Sequence, residues 1–463
     1  MKINRLIISI IIFILISVSG CIEQDSSELQ LESLKNNENI LTTQAAVGWS
    51  TAEDYEDAVS ESITMAKNRI GNETPQFAYV VLTPRSSQEE NNKTAEEIRK
   101  QLGPNVKIVG LTTKLGVMTN DGIHVGQNGS IGILLVTSKN ITFGVGEVNL
   151  NEFNSSEEAG RTAITNAIID AGNPTTSPDI TLYIGTTRRG DDMRLLDGIA
   201  EIIGADSPVI GGSANDDIVS GLWMQFTHNK SYTNGLILVT IYTDQKSGWG
   251  FETGYKLTDN KGIATTSDGY LISEIDERPA LDVYDEWVNG ELYQKIDAGE
   301  FNDETGNISF ALIKEFTLMN PIARVLRTAD GRIGHYTVSP IPNTDDVESK
   351  NLRVFAEIQQ GWEIALYRGT WQTHMNRVET IPLDAMERAG LDPGEGMFGI
   401  MQFCNGLRSQ IPEEEFEKVP AITDDVLGGV PFIGAITGGE HGPIYEIGRN
   451  VNANLIECMV VIG

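Results

Sequence analysis

The residues in this chain best suited to chemistry are arginines that follow apolar β-runs. Arg188 and Arg189 come just after the run 180–185, and Arg408 comes shortly after 398–403. A guanidinium in such a place can grip a carboxylate through two parallel hydrogen bonds. Strands that end on glycine supply the complement, in Gly211-Gly212-Ser213-Ala214-Asn215 and Thr437-Gly438-Gly439-Glu440. Glycine lets a ligand approach the main chain closely. Thr112, Thr113, Ser213, Asn215 and Thr437 add neutral hydrogen bonds, and Glu440 can accept from an ammonium group. Together these groups suit a zwitterion such as an amino acid. The ligand-binding candidates are Arg188, Arg189, Gly211, Gly212, Ser213, Asn215, Arg408, Thr437, Gly438, Gly439 and Glu440. The alternative is that the glycines serve turns and the arginines pair with surface acids.

Other chemistries find less support. The five histidines (His124, His228, His335, His374, His441) are scattered, with no pair at ligand spacing and no Cys/His cluster. Gly144-Val145-Gly146 is too short for a dinucleotide fingerprint, and no Gly-Lys-Ser/Thr phosphate loop occurs. Gly211-Gly212-Ser213 lacks the Gly-x-Ser-x-Gly elbow of a serine hydrolase. No metal, cofactor or catalytic residue is therefore assigned. An envelope hydrolase using Glu440, His441 or Cys404 remains as one alternative, and a structural envelope protein as another.

The elements that must position these residues recur. The order is helix, strand, arginine loop, helix, strand ending on Gly, loop, strand. One copy runs from Ser50-Thr51-Ala52-Glu53, read as a capping box, through a helix with the face Tyr55, Val59, Ile63, Ala66 and Ile70, to strands at 77–82, 106–113 and 131–136. Arg85 lies in its arginine loop. A second copy starts at Ser155-Ser156-Glu157-Glu158, with the face Ala159, Ala163, Ala167 and Ala171 and strands at 180–185, 208–213 and 236–241. The spacing of about 105 residues is too long for a solenoid unit and indicates a duplicated half-domain. A third copy has a helix around Leu383–Met386 and strands at 398–403, 430–434 and 455–462. Extra strands at 141–148 and 248–255 are expected to close the first two copies. Between the second and third lies a β-rich middle, with a helix after Pro279, a polar loop over 289–310, a hairpin around Ala329-Asp330-Gly331-Arg332 and a second hairpin through Gln359-Gln360-Gly361. The fold class is α/β, with mixed β-sheets built from repeated helix-strand-helix-strand-strand units and a β-rich middle region.

The chain has 463 residues, of which 40% are hydrophobic, and a net charge of −31. That charge repels nucleic-acid phosphates, so no nucleic-acid partner is expected. Residues 1–21 read as a lipoprotein signal. Lys2 and Arg5 precede the apolar run 6–16, and Val18-Ser19-Gly20 leads into Cys21, the expected lipidation site. Residues 22–44 are polar and acidic, a flexible linker. The body divides into 45–264, holding two repeats, and 265–463, holding the β-rich insert and third repeat. It is expected to sit outside the cytoplasm, anchored to the membrane by lipid. Cys404 and Cys458 fall on strands of one copy, and such a compartment permits them to pair.

At these residues the sequence resembles the FIST family of sensory domains. Residues 76–264 look like its N-terminal module, with Val109-Gly110 and Ile210-Gly211 in the strand-Gly positions. Residues 268–445 look like its C-terminal module. The carrying segments there are Ile275-Asp276-Glu277-Arg278-Pro279-Ala280-Leu281, Phe403-Cys404 with Arg408, and Gly429-Val430-Pro431-Phe432-Ile433-Gly434 with Gly439-Glu440. The resemblance implies a small-ligand sensor, with amino acids as the proposed ligands. Family members often carry kinase, cyclase or chemoreceptor outputs, and no such motif occurs here. Occupancy would then pass to a membrane receptor or transporter partner.

Overall fold

Three six-stranded mixed sheets repeat one plan in this computed structural model, which describes residues 44–71, 73–186, 191–216 and 221–463. In the first sheet the order is Gln44–Ser50, Ile131–Thr137, Phe77–Leu82, Lys107–Thr112, then the two strands Gln225–Thr227 and Ser231–Tyr232. In the second it is Ile141–Asn149, Gly235–Thr243, Ile180–Thr186, Val209–Ala214, Glu440–Ile444 and Arg449–Ala453. In the third it is Ser247–Glu252, Glu457–Ile462, Phe398–Cys404, Phe432–Thr437, Val117–Thr119 and Gly122–His124. In every sheet the strand before the arginine loop runs parallel to the strand ending on Gly, and the remaining neighbours pair antiparallel.

The edge of each sheet comes from another unit. The second unit's hairpin pairs with Val109–Leu111 of the first. The third unit's hairpin pairs with Gly211 and Gly212 of the second, and the first unit's hairpin pairs with Ile433 and Gly434 of the third. This cyclic exchange covers an open edge on each sheet, and residues Gln44–Gly463 form one compact unit.

Strands 141–149 and 247–252 do not close the units before them. They lead the units that follow, paired to the strands Gly235–Thr243 and Glu457–Ile462. The physical reason lies in their glycines. A Cβ on Gly146 would lie 2.0 Å from the Ala163 carbonyl, one on Gly250 would lie 2.2 Å from that of Ile381, and one on Gly48 would lie 2.0 Å from that of Ser62. Each leading strand thus lets the backbone of its own unit's helix settle against it. The β-rich middle is inserted between the third leading strand and its helix Trp371–Ala389.

Local signals explain the helix ends. The first helix, Tyr55–Ile70, is capped by Asp54, which accepts from the Glu56 and Asp57 amides. Ser50 is the last residue of a strand and donates to Glu61, so the expected capping box is displaced by four residues. Ser155 does cap the helix Ser156–Asp170, accepting from the Glu158 amide.

In the middle region the hairpin Ile322–Arg327 with Ile333–Val338 forms as expected. The second expected hairpin does not. Leu352–Gln359 and Glu363–Arg368 pair separately with the two halves of one long strand, Lys256–Ile275. At about 3.3 Å per residue that strand is long enough to serve two short ladders, one on each half, with a register shift inside each. The boundary at 264 falls inside this strand. The expected polar loop at 289–310 contains the helix Glu291–Asp297, whose Leu292 is buried. Among the described residues no helix is long and apolar enough to cross a membrane.

Candidate functional site

The glycine-ended strands of the three units converge. The Thr113 hydroxyl accepts the Ile436 N–H at 2.7 Å, Gly438 N–H donates to Ser213 O at 2.9 Å, and Asn215 N–H donates to Thr112 O at 2.9 Å. Each unit thus bonds the next, around a ring. The junction is packed rather than hollow. Gly211 is backed by the Tyr183 main chain, and the space beside Gly212 is taken by Gln402 and Thr437. Ser213, Asn215, Thr437, Gly439 and Glu440 are buried, and Gly438 is exposed.

Glu440 faces the junction, where the Thr437 hydroxyl donates to it at 2.8 Å. Burial pushes its carboxyl up to about 8. His441, the next residue of the strand, points to the opposite face. There it stacks on Tyr183 at 3.7 Å and meets Asn452 at 2.8 Å. Glu440 and His441 therefore do not form an acid–base pair. Burial raises the Cys404 thiol well above its usual range, the opposite of the shift that favours a thiolate nucleophile. Among the described residues no group of three His, Cys, Asp or Glu side chains is placed to hold a metal.

The two cysteines are free and buried. The ladder pairs Cys458 with Gln402, which puts Cys404 two residues farther along its strand. That diagonal separates Cα atoms by about 7–8 Å, beyond ordinary disulfide reach.

Arg188, Arg189 and Cys21 lie outside the described residues. Arg408 does not grip a free acid. It donates to Ile411 O at 3.3 Å and lies over the Phe416 ring at 4.4 Å.

An open cleft of about 740 Å³ lies elsewhere, on the first unit where it meets the second. Its walls are Glu53–Tyr55, Thr83–Ser86, Glu90, Leu115–Gly116 and Val125–Gly129, with Asp216 and Leu222 from the second unit. The volume is of the size that small ligands occupy. Arg85, of the first arginine loop, is buried in its wall with 7% exposure. Its main-chain N–H donates to Asn91 Oδ1 at 2.7 Å, and Asn91 in turn donates to Leu222 O. Its Nη1 donates to Glu53 O at 2.7 Å, while Nη2 has no acceptor. Burial pulls this guanidinium below its usual range, against the opposite pull of Glu90 and Asp54. A buried donor without an acceptor is costly, by about 1–3 kcal/mol, and an incoming carboxylate oxygen would relieve that cost.

The rest of the cleft is mixed. Leu115 is 37% exposed and Val125 66% exposed, giving the mouth an apolar lip. Leu115 holds φ at 57°, a left-handed conformation uncommon outside glycine. Asp216 accepts the Gly221 and Leu222 amides at 2.8 Å, which holds Leu222 in place. None of the nine candidates that fall among the described residues lines the cleft. Arg85 carried the available signal, because it occupies the same place in its unit as Arg188-Arg189 and Arg408 do in theirs.

Comparison with known proteins gives two family matches, to the FIST N domain over residues 76–278 and to the FIST C domain over residues 280–443. FIST domains are sensory, small-ligand-binding domains rather than enzymes. No curated protein matches the chain. Among solved structures, a cyanuric acid hydrolase from A. caulinodans is 9% identical, with a TM-score of 0.34, over 90% of this chain and 99% of that one. Another cyanuric acid hydrolase structure, described as an evolutionary innovation by structural concatenation, is 9% identical with a TM-score of 0.30, over 91% and 100%. Likenesses at those scores do not bear on what this chain does.

Proposed function

The chain belongs to the FIST family, and from that premise we propose a membrane-anchored, extracytoplasmic sensory protein that captures a small zwitterion in the Arg85 cleft. An amino acid is the fitting class. Lipid on Cys21 would hold the protein at the membrane, and a separate membrane receptor or transporter would read its occupancy.

The observation that carries this reading is Arg85, nine-tenths buried beside a ligand-sized cleft with one guanidinium nitrogen unpartnered. On a chain with a net charge of −31, a cation held there is the natural counterpart of a carboxylate. The acids Glu53, Asp54 and Glu90 around it attract an ammonium group.

Thermal unfolding with a panel of amino acids tests the proposal, because a ligand bound only by the native state raises the midpoint. A rise with at least one amino acid, absent in folded Arg85→Lys protein, is expected. No rise at millimolar concentrations would overturn it. For the anchor, Cys21→Ser should move the protein out of the membrane fraction, and an unchanged distribution would remove lipidation from the account.

A further inference from the structure

Arg408 of the third unit and Arg85 of the first stand in matching loops, each after the strand that runs parallel to the glycine-ended one. Their surroundings differ in one informative way. The Arg408 guanidinium lies against an aromatic ring of its own chain. The Ile411 carbonyl accepts one N–H, and the buried Phe416 ring lies under its plane at 4.4 Å. Each guanidinium keeps one nitrogen without an acceptor, Nε of Arg408 and Nη2 of Arg85, but the space beside Arg85 is open cleft, with Tyr55, Leu115, Val125 and Leu222 on its walls.

Resting on the reading of the cleft as the binding site, we propose that its ligand is a monocarboxylate with a large apolar or aromatic body, such as phenylalanine or leucine, and not a dicarboxylate. The ligand supplies an oxygen to Arg85 Nη2, and it supplies in the first unit the apolar group that Phe416 supplies in the third. A guanidinium takes both kinds of partner, in its plane and on its face. The apolar lip of Leu115 and Val125 gives the body a place to be buried. A second carboxylate would meet Glu53, Asp54, Glu90 and Asp216, and like charges at short range exclude it. Because Phe416 closes the corresponding place in the third unit, Arg408 does not provide a second site.

Isothermal titration calorimetry of the purified protein with L-phenylalanine, L-leucine, L-glutamate, 3-phenylpropionate and phenylethylamine tests this. Phenylalanine or leucine should bind tighter than glutamate by about tenfold or more, a difference of about 1.4 kcal/mol. Phenylpropionate should retain binding and phenylethylamine should lose it. Val125→Asp alters an exposed side chain, so it should leave the melting midpoint unchanged while weakening phenylalanine. If glutamate binds as well as phenylalanine and Arg85→Lys abolishes both, the apolar specificity is overturned and the site stands. If no compound binds the wild-type protein, or phenylalanine binding survives in folded Arg85→Lys and Arg85→Met, the site itself is wrong.

Discussion

The Gln402 side chain occupies the place where Gly212 lacks a Cβ. A methyl group there would lie 2.5 Å from Gln402 Oε1 and 2.8 Å from Thr437 Oγ1. Gln402 is held from its other end, its Nε2 donating to the Tyr79 hydroxyl at 3.0 Å. All three units thus meet at one contact, with Tyr79 from the first, Gly212 from the second and Gln402 from the third. Gly212→Ala should destabilise the protein by about 1–3 kcal/mol, the ordinary range for overpacking a tight core. Urea unfolding measures it, and Gly212→Ala combined with Gln402→Ala should recover part of the loss. Equal stability of wild type and Gly212→Ala would show that the junction is looser than described.

The leading strands carry a related constraint. Gly250 faces main chain, with the Ile381 carbonyl 2.2 Å from its virtual Cβ, and no rotamer change can relieve that clash. Gly250→Ala should therefore cost about 3 kcal/mol or more, whereas alanine at Gly361, which has no atom within 4 Å of its virtual Cβ but φ at 86°, should cost only the backbone strain of about 1–2 kcal/mol. Denaturation midpoints of the two variants decide the order.

Glu440 links stability to pH. Its carboxyl titrates near 8 in the folded protein because burial disfavours the charged form, against about 4.3 in an unfolded chain. Between those values the native state holds a proton that the unfolded state has released. This contribution is fully present below the unfolded value and is lost as pH rises through the folded one. Glu457, also raised by burial, acts in the same direction. Stability should fall from pH 5 to pH 8, with a slope of up to about 1.4 kcal/mol per pH unit from Glu440. Glu440→Gln should flatten that slope when urea unfolding is compared at the two pH values. An unchanged slope would mean that Glu440 is ionised in the folded protein.

Cys404 and Cys458 should both react with a thiol reagent when the protein is denatured without reductant. In the folded protein both should resist it, since they are buried and their thiols are held protonated. Cross-linking between them in the unreduced protein would contradict the register that sets Cys458 opposite Gln402.

Much of the architecture was legible in the residues. Runs such as Phe77–Leu82, Ile180–Thr186 and Phe398–Cys404 are buried on both faces, so unbroken apolar sequence marked them as central strands. Their recurrence with an arginine loop and a glycine-ended partner made the three units countable. Gly48, Gly146 and Gly250 were harder to interpret, because a glycine that admits a helix backbone looks the same in sequence as one that makes a turn.

What the chain's letters determined was the succession helix, strand, arginine loop, helix, strand and strand within each unit, and the positions of the arginines, since periodicity and glycine placement are local properties. What only the tertiary structure decided was which sheet each hairpin joins and that Arg85 faces open space while Arg408 lies against Phe416. Those edge pairings are made by main-chain groups over two or three residues, as at Glu440–Gly212 and Met118–Gly434, and backbone hydrogen bonds carry little side-chain signature. Yet the junction of the first and second units brings Asp216 and Leu222 against the loop of Arg85, and so forms the cleft. In the third unit a phenylalanine fills the corresponding place.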